Sequence, residues 1–195
     1  MTTASGVREM ILTRGLGIAS TQGLQALSIG DLARDLELSR SGLHAQFRDV
    51  ESLQLGVIEK AADLFIRDVM EAGSAAADGE ARLRSLFAKW LQWSRSPRLA
   101  GGCPFVHASA EGDALPQAVR DRLDTFMQAF SSTLKGAVEA AIEAREFRSD
   151  IDAEQIVFEL YGLYLSHHFW HWSMKDRSAL SRTMQAFERV MAASR

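Results

Sequence analysis

Apolar positions recur at helical spacing along nearly the whole chain. Val7, Ile11, Gly15 and Ile18, with a parallel row at Leu12, Leu16 and Ala19, predict a helix over 7–22 that stops at Gly23. Ser28, followed three residues later by Asp31, has capping-box spacing with a shorter acid, and Ile29, Leu32, Ala33 and Leu36 then share one face of a helix about two turns long. Ser39 is placed to cap a third helix running to about Phe47, with Leu43 and Phe47 inward and Arg40, Ser41, His44 and Gln46 toward solvent. Asp49 opens a fourth over 50–72, where Leu53, Val57, Ala61 and Leu64 continue a stripe, and the small polar run GSAAADGE from Gly73 to Glu80 reads as a connection. Further helices are predicted near 81–95, 104–112, 116–146, 153–173 and 177–193, separated by breaks at Pro97, Gly101–Gly102, Ala114–Pro116, Ser149–Asp152 and Lys175–Asp176. No segment alternates with the period of a strand and no internal repeat is present, so the fold class is all-α.

The brevity of the runs within DLARDLELSRSGLHAQF, Asp31 to Phe47, raises a specific question. Two short helices joined by a turn of about three residues have the geometry that lays a recognition helix into the major groove. A tight corner between packed helices is the rival reading. It would need apolar residues on both faces of the third helix, whereas this one offers Arg40, Ser41, His44 and Gln46, all able to reach phosphates or base edges.

Composition narrows the class without naming a function. With 195 residues, 47% hydrophobic, 24% charged and three prolines, the chain has the profile of an ordinary folded globular protein. No run of about 18 apolar residues and no basic-then-apolar leader is found, so no membrane partner is expected. A lone cysteine, Cys103, and the absence of asparagine agree with a reducing compartment, and a cytoplasmic location is expected. The net charge of −3 is unevenly spread: Arg8, Arg14, Arg34, Arg40 and Arg48 outnumber Glu9, Asp31, Asp35 and Glu37 in residues 1–48, leaving +1 there and −4 in the remainder. The direction suits an N-terminal nucleic-acid reader; the size is small for one.

Other chemistry is sparse. In SHHFWHW, His167 and His171 share a helical face as a metal pair would, but no HExxH or CxxC accompanies them and aromatics surround them, so packed or pocket-lining histidines are the reading and no metal site is assigned. The same holds for His107 with Glu111. Cys103 lies near a predicted helix start, where a thiolate is stabilised, yet a lone cysteine is more often a small buried apolar residue. Gly15-Leu16-Gly17 lies inside a helix and follows no strand, so no nucleotide site is proposed, no cofactor is expected and no catalytic constellation can be assembled. Aromatics are dense in the second half. A mixed set such as Trp93, His107, Tyr164 and His168 suits an apolar pocket with a few orienting polar groups. The final helix has Leu180, Met184, Phe187 and Met191 at spacings of four, three and four, a heptad-like seam that either closes its own core or meets a second copy.

At this point the run LSRSGLHAQF followed by ESLQL, and preceded by GLQALSIGDLARDL, closely resembles the N-terminal domain of TetR/AcrR-type transcriptional regulators, over about residues 7–60. GGCPFVHASAEGD, followed by a helix opening on AVRDRL, is similar to the ligand-domain pattern of one branch of that family. The resemblance implies a three-helix DNA-binding domain, a larger helical ligand-binding and dimerisation domain, and a repressor released by a small molecule. Four positions depart from the family pattern. Glu37 stands where the helix-turn-helix corner usually has glycine, and His44, Gln46 and Val50 stand where an aromatic, a histidine and a lysine are usual.

These readings combine into one expectation. Residues 1–48 form the helix-turn-helix domain and residues 49–195 the ligand-binding and dimerisation domain of a homodimer that binds a palindromic operator in double-stranded DNA and is released by a small apolar or aromatic molecule. Candidate DNA contacts are Ser28, Ser39, Arg40, Ser41, Gly42, His44, Gln46 and Arg48. Candidate ligand contacts are Trp90, Trp93, Phe105, His107, Met127, Phe130, Tyr164 and His168, and the dimer seam is Leu180, Met184, Phe187 and Met191. The alternatives are a dimeric small-molecule-binding protein whose operator binding has weakened or been lost and, with less support, a helical enzyme.

Overall fold

The computed structural model describes residues 4–195, and the regular structure among them is helical throughout. α1 (Ala4–Gln22) ends where Gly23 adopts a φ of 85°, a left-handed stop that a residue without Cβ takes at little cost. Ser28 accepts the Asp31 N–H to open α2 (Ile29–Asp35). The Asp31 carboxylate pairs with Arg34 instead of turning back, so only half of the capping box forms. α3 (Arg40–His44) is opened by Ser39, whose Oγ accepts the Gly42 N–H at 3.0 Å. α4 (Val50–Phe65) has the reciprocal cap: the Asp49 carboxylate accepts the Ser52 N–H at 2.8 Å while the Ser52 hydroxyl accepts the Asp49 N–H at 3.2 Å.

Beyond Phe65 the helix widens into a π-helical stretch (Ile66–Glu71) before one last turn, α5 (Ala72–Ser74). A regular helix over 50–72 was expected from periodicity; one widened turn leaves the apolar spacing almost unchanged, so the pattern does not register it. Then follow α6 (Glu80–Trp93), α7 (Pro104–Glu111), α8 (Gln117–Glu143) and α9 (Ala153–His168) with a second π-helical stretch (Phe169–Ser173), and finally α10 (Ala179–Ser194). No helix among the described residues is long and apolar enough to cross a membrane.

The chain forms two compact units, one of residues up to Leu64 with Ser96–Phe126, the other of Phe65–Arg95 with Met127–Arg195. In the first, Ile11, Leu16, Leu24, Leu32, Leu43, Phe47, Leu53 and Val57 are buried; α3 ends at His44, short of the expected Phe47, so it is fixed by its own Leu43 and by Phe47 just past its end, with its opposite face left to solvent. In the second, Leu83, Leu86, Phe87, Trp90, Phe130, Leu160 and Tyr164 make the core. Phe187 belongs to it as well, stacked on Phe87 with ring centroids 4.5 Å apart, and Met191 is fully covered. These two seam residues therefore close the chain's own core, because the α10 stripe turns toward α6; only Leu180 and Met184 keep part of their surface. Arg84 on α6 forks onto Glu188 of α10, and Glu80 receives Arg195, a partly exposed network that fixes register more than it adds stability.

Candidate functional site

The solvent face of α3 carries Arg40, Ser41 and His44, with Ala45 and Arg48 beyond, all exposed; Gln46 is half-buried. Ser39 and Ser41 bond each other at 3.1 Å, so the helix start presents two linked hydroxyls as well as its free N-terminal N–H groups. The Arg40 guanidinium lies over Gly30 of α2, about where a Cβ would meet its Nη2 at 3.5 Å, and among the described residues it has no ion-pair partner. The His44 ring bonds the Arg48 carbonyl at 3.3 Å, and Arg8 donates to the Gln46 carbonyl at 2.9 Å while covering the Phe47 ring at 4.3 Å. The end of α3 is thus pinned to α1. Ser28 is half-buried and spends its hydroxyl on the α2 cap, as Ser39 does on α3, so both shape the face before they can touch a ligand.

The other cations nearby are engaged. Arg14 pairs with Asp35, Arg34 with Asp31, and Arg48 with Asp49 at 2.9 Å. The Ser52 backbone N–H, with help from Arg48, holds the Asp49 carboxyl below the usual carboxylate range, which keeps that pair charged. Glu37 sits in the turn between α2 and α3 with φ at 54°, fully in the left-handed region, and its side chain is exposed. Val50, at the start of α4, is 38% exposed.

The candidate ligand residues divide between the two units. In the second, Trp90 stacks on Tyr164 with centroids 4.0 Å apart and meets Phe130 edge-on at 4.8 Å; Phe65 touches both Trp93 and Phe130. Tyr161 completes the cluster, 4.8 Å from Trp90, with Ser131 donating to its hydroxyl at 3.1 Å and the half-buried Met127 lending its carbonyl to Ser131. Phe105 and His107 belong to the first unit, where Phe105 stacks on Phe126 at 4.3 Å and the His107 ring is 3.4 Å from the Gly101 carbonyl. Sequence reading grouped all eight as candidate ligand contacts but had no means of sorting them by unit. Cys103 is buried and occupies the residue before α7.

His167 and His168 are buried at the end of α9, and His167 stacks on His171 at 5.5 Å. Burial, followed by the neighbouring His171 charge, pushes the His167 imidazole down to about 4 against an opposing pull from the Ala179 backbone, and the Arg95 charge adds a smaller push in the same direction as burial. It is a neutral core histidine at neutral pH. Among the described residues no group of three or more histidine, cysteine or carboxylate side chains gathers closely enough to hold a metal ion.

Glu111, weighed in the sequence only beside His107, makes contacts that sequence reading missed. Its carboxylate, at the end of α7, accepts the backbone N–H groups of Leu24 and Gln25 at 3.0 and 2.9 Å. Its partners are 87 and 86 residues away in sequence, so no local pattern marks it.

No curated protein matches the chain by sequence. Among solved structures, a TetR transcriptional regulator from Chloroflexus aurantiacus J-10-FL superposes with a TM-score of 0.84 at 17% identity, covering 98% of this chain and 96% of its own. AibR, solved in complex with isovaleryl coenzyme A and operator DNA, does so at 0.73 with 18% identity over 94% and 95% of the two chains. A putative transcriptional regulator from Saccharomonospora viridis, in complex with choline, gives 0.78 at 19% identity over 96% of each. These likenesses establish a shared fold: an N-terminal helix-turn-helix domain followed by a larger helical domain. A family model, "Tetracyclin repressor-like, C-terminal domain", matches residues 79–187. With more than half of its length matched by that model, the chain belongs to the TetR family of transcriptional regulators, proteins that control genes rather than catalyse reactions.

Proposed function

We propose that this regulator is a ligand-responsive repressor that binds a pseudo-palindromic operator as a homodimer, with residues 1–48 on DNA and residues 49–195 for ligand and partner. The observation that carries the reading is the outward face of α3: a helix capped at Ser39, seated by Leu43 and Phe47, whose Arg40, Ser41 and His44 have no apolar surface to cover. Its candidate contacts are Ser28, Ser39, Arg40, Ser41, Gly42, His44, Gln46 and Arg48, with Ser28 and Ser39 acting mainly through the helix starts they hold. A two-fold dimer sets two such helices about 34–36 Å apart, one helical turn of DNA. AibR, bound to operator DNA, supports DNA as the partner.

For the dimer, the exposed side of α9 supplies what the α10 seam does not. Phe158, Gly162, Leu165 and Phe169 follow one another at spacings of four, three and four, with Phe158 72% and Leu165 50% exposed. Leu180 and Met184, the two seam residues that keep part of their surface, join this stripe in the proposed interface. For the ligand, the Trp90, Phe130 and Tyr164 cluster, with Trp93, Met127 and His168, offers apolar and aromatic surface, and choline and isovaleryl coenzyme A bound to relatives of the same fold support a small-molecule effector.

Selection of duplexes from a random library by the purified protein tests the reading. An enriched inverted repeat is the expected result; sequence-independent retention sinks it. A second reading, a dimeric sensor with weakened operator binding, is favoured by the three arginine–carboxylate pairs and the exposed Glu37, which leave little uncommitted positive charge beside α3. It predicts selection only at low salt.

A further inference from the structure

α7 is fastened at both ends to the connection between α1 and α2. At its start, the turn Gly101–Gly102 lies so close to the end of α1 that a Cβ on Gly101 would run into the Ser20 carbonyl and the Thr21 Cα. At its end, the Glu111 carboxylate takes the Leu24 and Gln25 N–H groups, and Gly23 beside it has no room for a Cβ against that carboxylate. The Leu24 peptide is held from its other side too: its carbonyl accepts the side-chain amide of Gln54 at 3.0 Å, a buried residue of α4. One peptide unit of the α1–α2 connection is therefore gripped through its N–H by α7 and through its carbonyl by α4. All of these residues lie in the first compact unit.

We infer that Glu111 is a positioning residue for DNA binding, and that Leu24 is the node at which α7 and α4 together set the placement of α2 and α3. The inference deepens the regulator reading above and rests on it for its DNA arm. The physical ground is the pairing of a charged acceptor with two backbone donors: such bonds are about twice as strong as neutral ones, and a displaced α7 must either break both or carry the α1–α2 connection with it. Gln54 makes the second grip, so motion of either helix reaches the same peptide. Coupling of this kind is reciprocal, and DNA bound at α3 must alter α7 as much as α7 alters DNA binding.

Amide hydrogen exchange on the full chain tests this in two arms. Without DNA, Glu111→Ala should speed exchange at Leu24 and Gln25 at least tenfold, and Glu111→Gln, which keeps one acceptor oxygen, should speed it less. Exchange at both amides unchanged in Glu111→Ala overturns the clamp. With a saturating duplex from the library selection, exchange across residues 106–111 should slow at least threefold in the parent and not in Glu111→Ala. Slowing that persists undiminished in the variant overturns the coupling. If Glu111→Ala does not fold, Glu111→Gln carries both arms, with half-sized effects expected and unchanged exchange decisive against the proposal. Failure to select any duplex counts against the regulator reading alone, and the DNA-free arm then decides the clamp.

Discussion

At the scale of single residues, three side chains are under unlike constraints. Glu37 holds a left-handed φ that costs a residue with a Cβ about 1 kcal/mol, and its exposed carboxylate recovers nothing by contact. Glu37→Gly should raise the urea midpoint by an amount equivalent to about 1 kcal/mol, and should tighten operator binding by removing a negative charge beside the DNA face; a lower midpoint would show that the corner is not strained. Arg40, with no ion-pair partner among the described residues, is the cation most able to reach DNA. Arg40→Ala should weaken binding, with a salt slope smaller by about 0.9 if it meets a phosphate, or with relaxed preference at one base pair if it reads guanine. Binding assays across a salt series separate these, and no change in either would remove Arg40 from the interface. His167 works through burial. Its folded-state pKa of about 4 lies below the ordinary 6.5, so the stability it contributes is complete above pH 6.5 and is lost as pH falls from there toward 4. His171, also depressed chiefly by burial, acts in the same direction. Thermal melts should show the parent losing about 3 kcal/mol across that window, and His167→Gln should flatten the slope; equal slopes would place the acid sensitivity elsewhere.

At the scale of elements, α10 spends on the chain's own core a seam whose spacing suited a second copy equally well. Four apolar residues at heptad spacing on α10 fit a partner helix within the chain as well as one outside it, and spacing does not distinguish these. Phe187 lies flat on Phe87 inside the subunit, so Phe187→Ala should cost about 3–5 kcal/mol of stability while leaving the folded fraction in its original oligomeric state. Leu165→Glu on the exposed side of α9 should do the reverse: little loss of protomer stability, but dissociation in sedimentation equilibrium. A Leu165→Glu protein that sediments as the parent does would remove the α9 stripe from the proposed dimer. Helix starts, in contrast, were legible because their causes are local. Ser28, Ser39 and Asp49 each accept the N–H three residues ahead, and all three caps form.

At the scale of the whole molecule, the proposed repression depends on a coupling that binds both ways. A small aromatic molecule that lowers operator affinity tenfold must itself bind tenfold more weakly to the operator complex, about 1.4 kcal/mol in each direction. Titration of tryptophan fluorescence with candidate aromatics, with and without the selected duplex, measures both sides, and Trp93→Phe identifies the reporting residue. A molecule whose affinity is the same in both titrations is no inducer.

What the amino-acid order determined alone was short in range: helix periodicity, caps, the glycine stop at Gly23, the inward Leu43 and Phe47 and the polar outer face of α3. Each follows from contacts within one or two turns, which linear spacing encodes, and together with the quoted motifs they sufficed to identify the family. The positive φ at Glu37 was foreseeable by the same logic, since a tight corner between two helices needs it whatever residue stands there. Only the tertiary structure decided which apolar stripe is spent on the chain's own core, which candidate ligand residues share a unit, which arginines already have carboxylate partners, and that Glu111 caps a backbone segment 86 residues away. An apolar face or a charged side chain specifies the kind of partner it needs but not which partner; that choice is made when distant segments compete for the same surface, and the fold is its outcome.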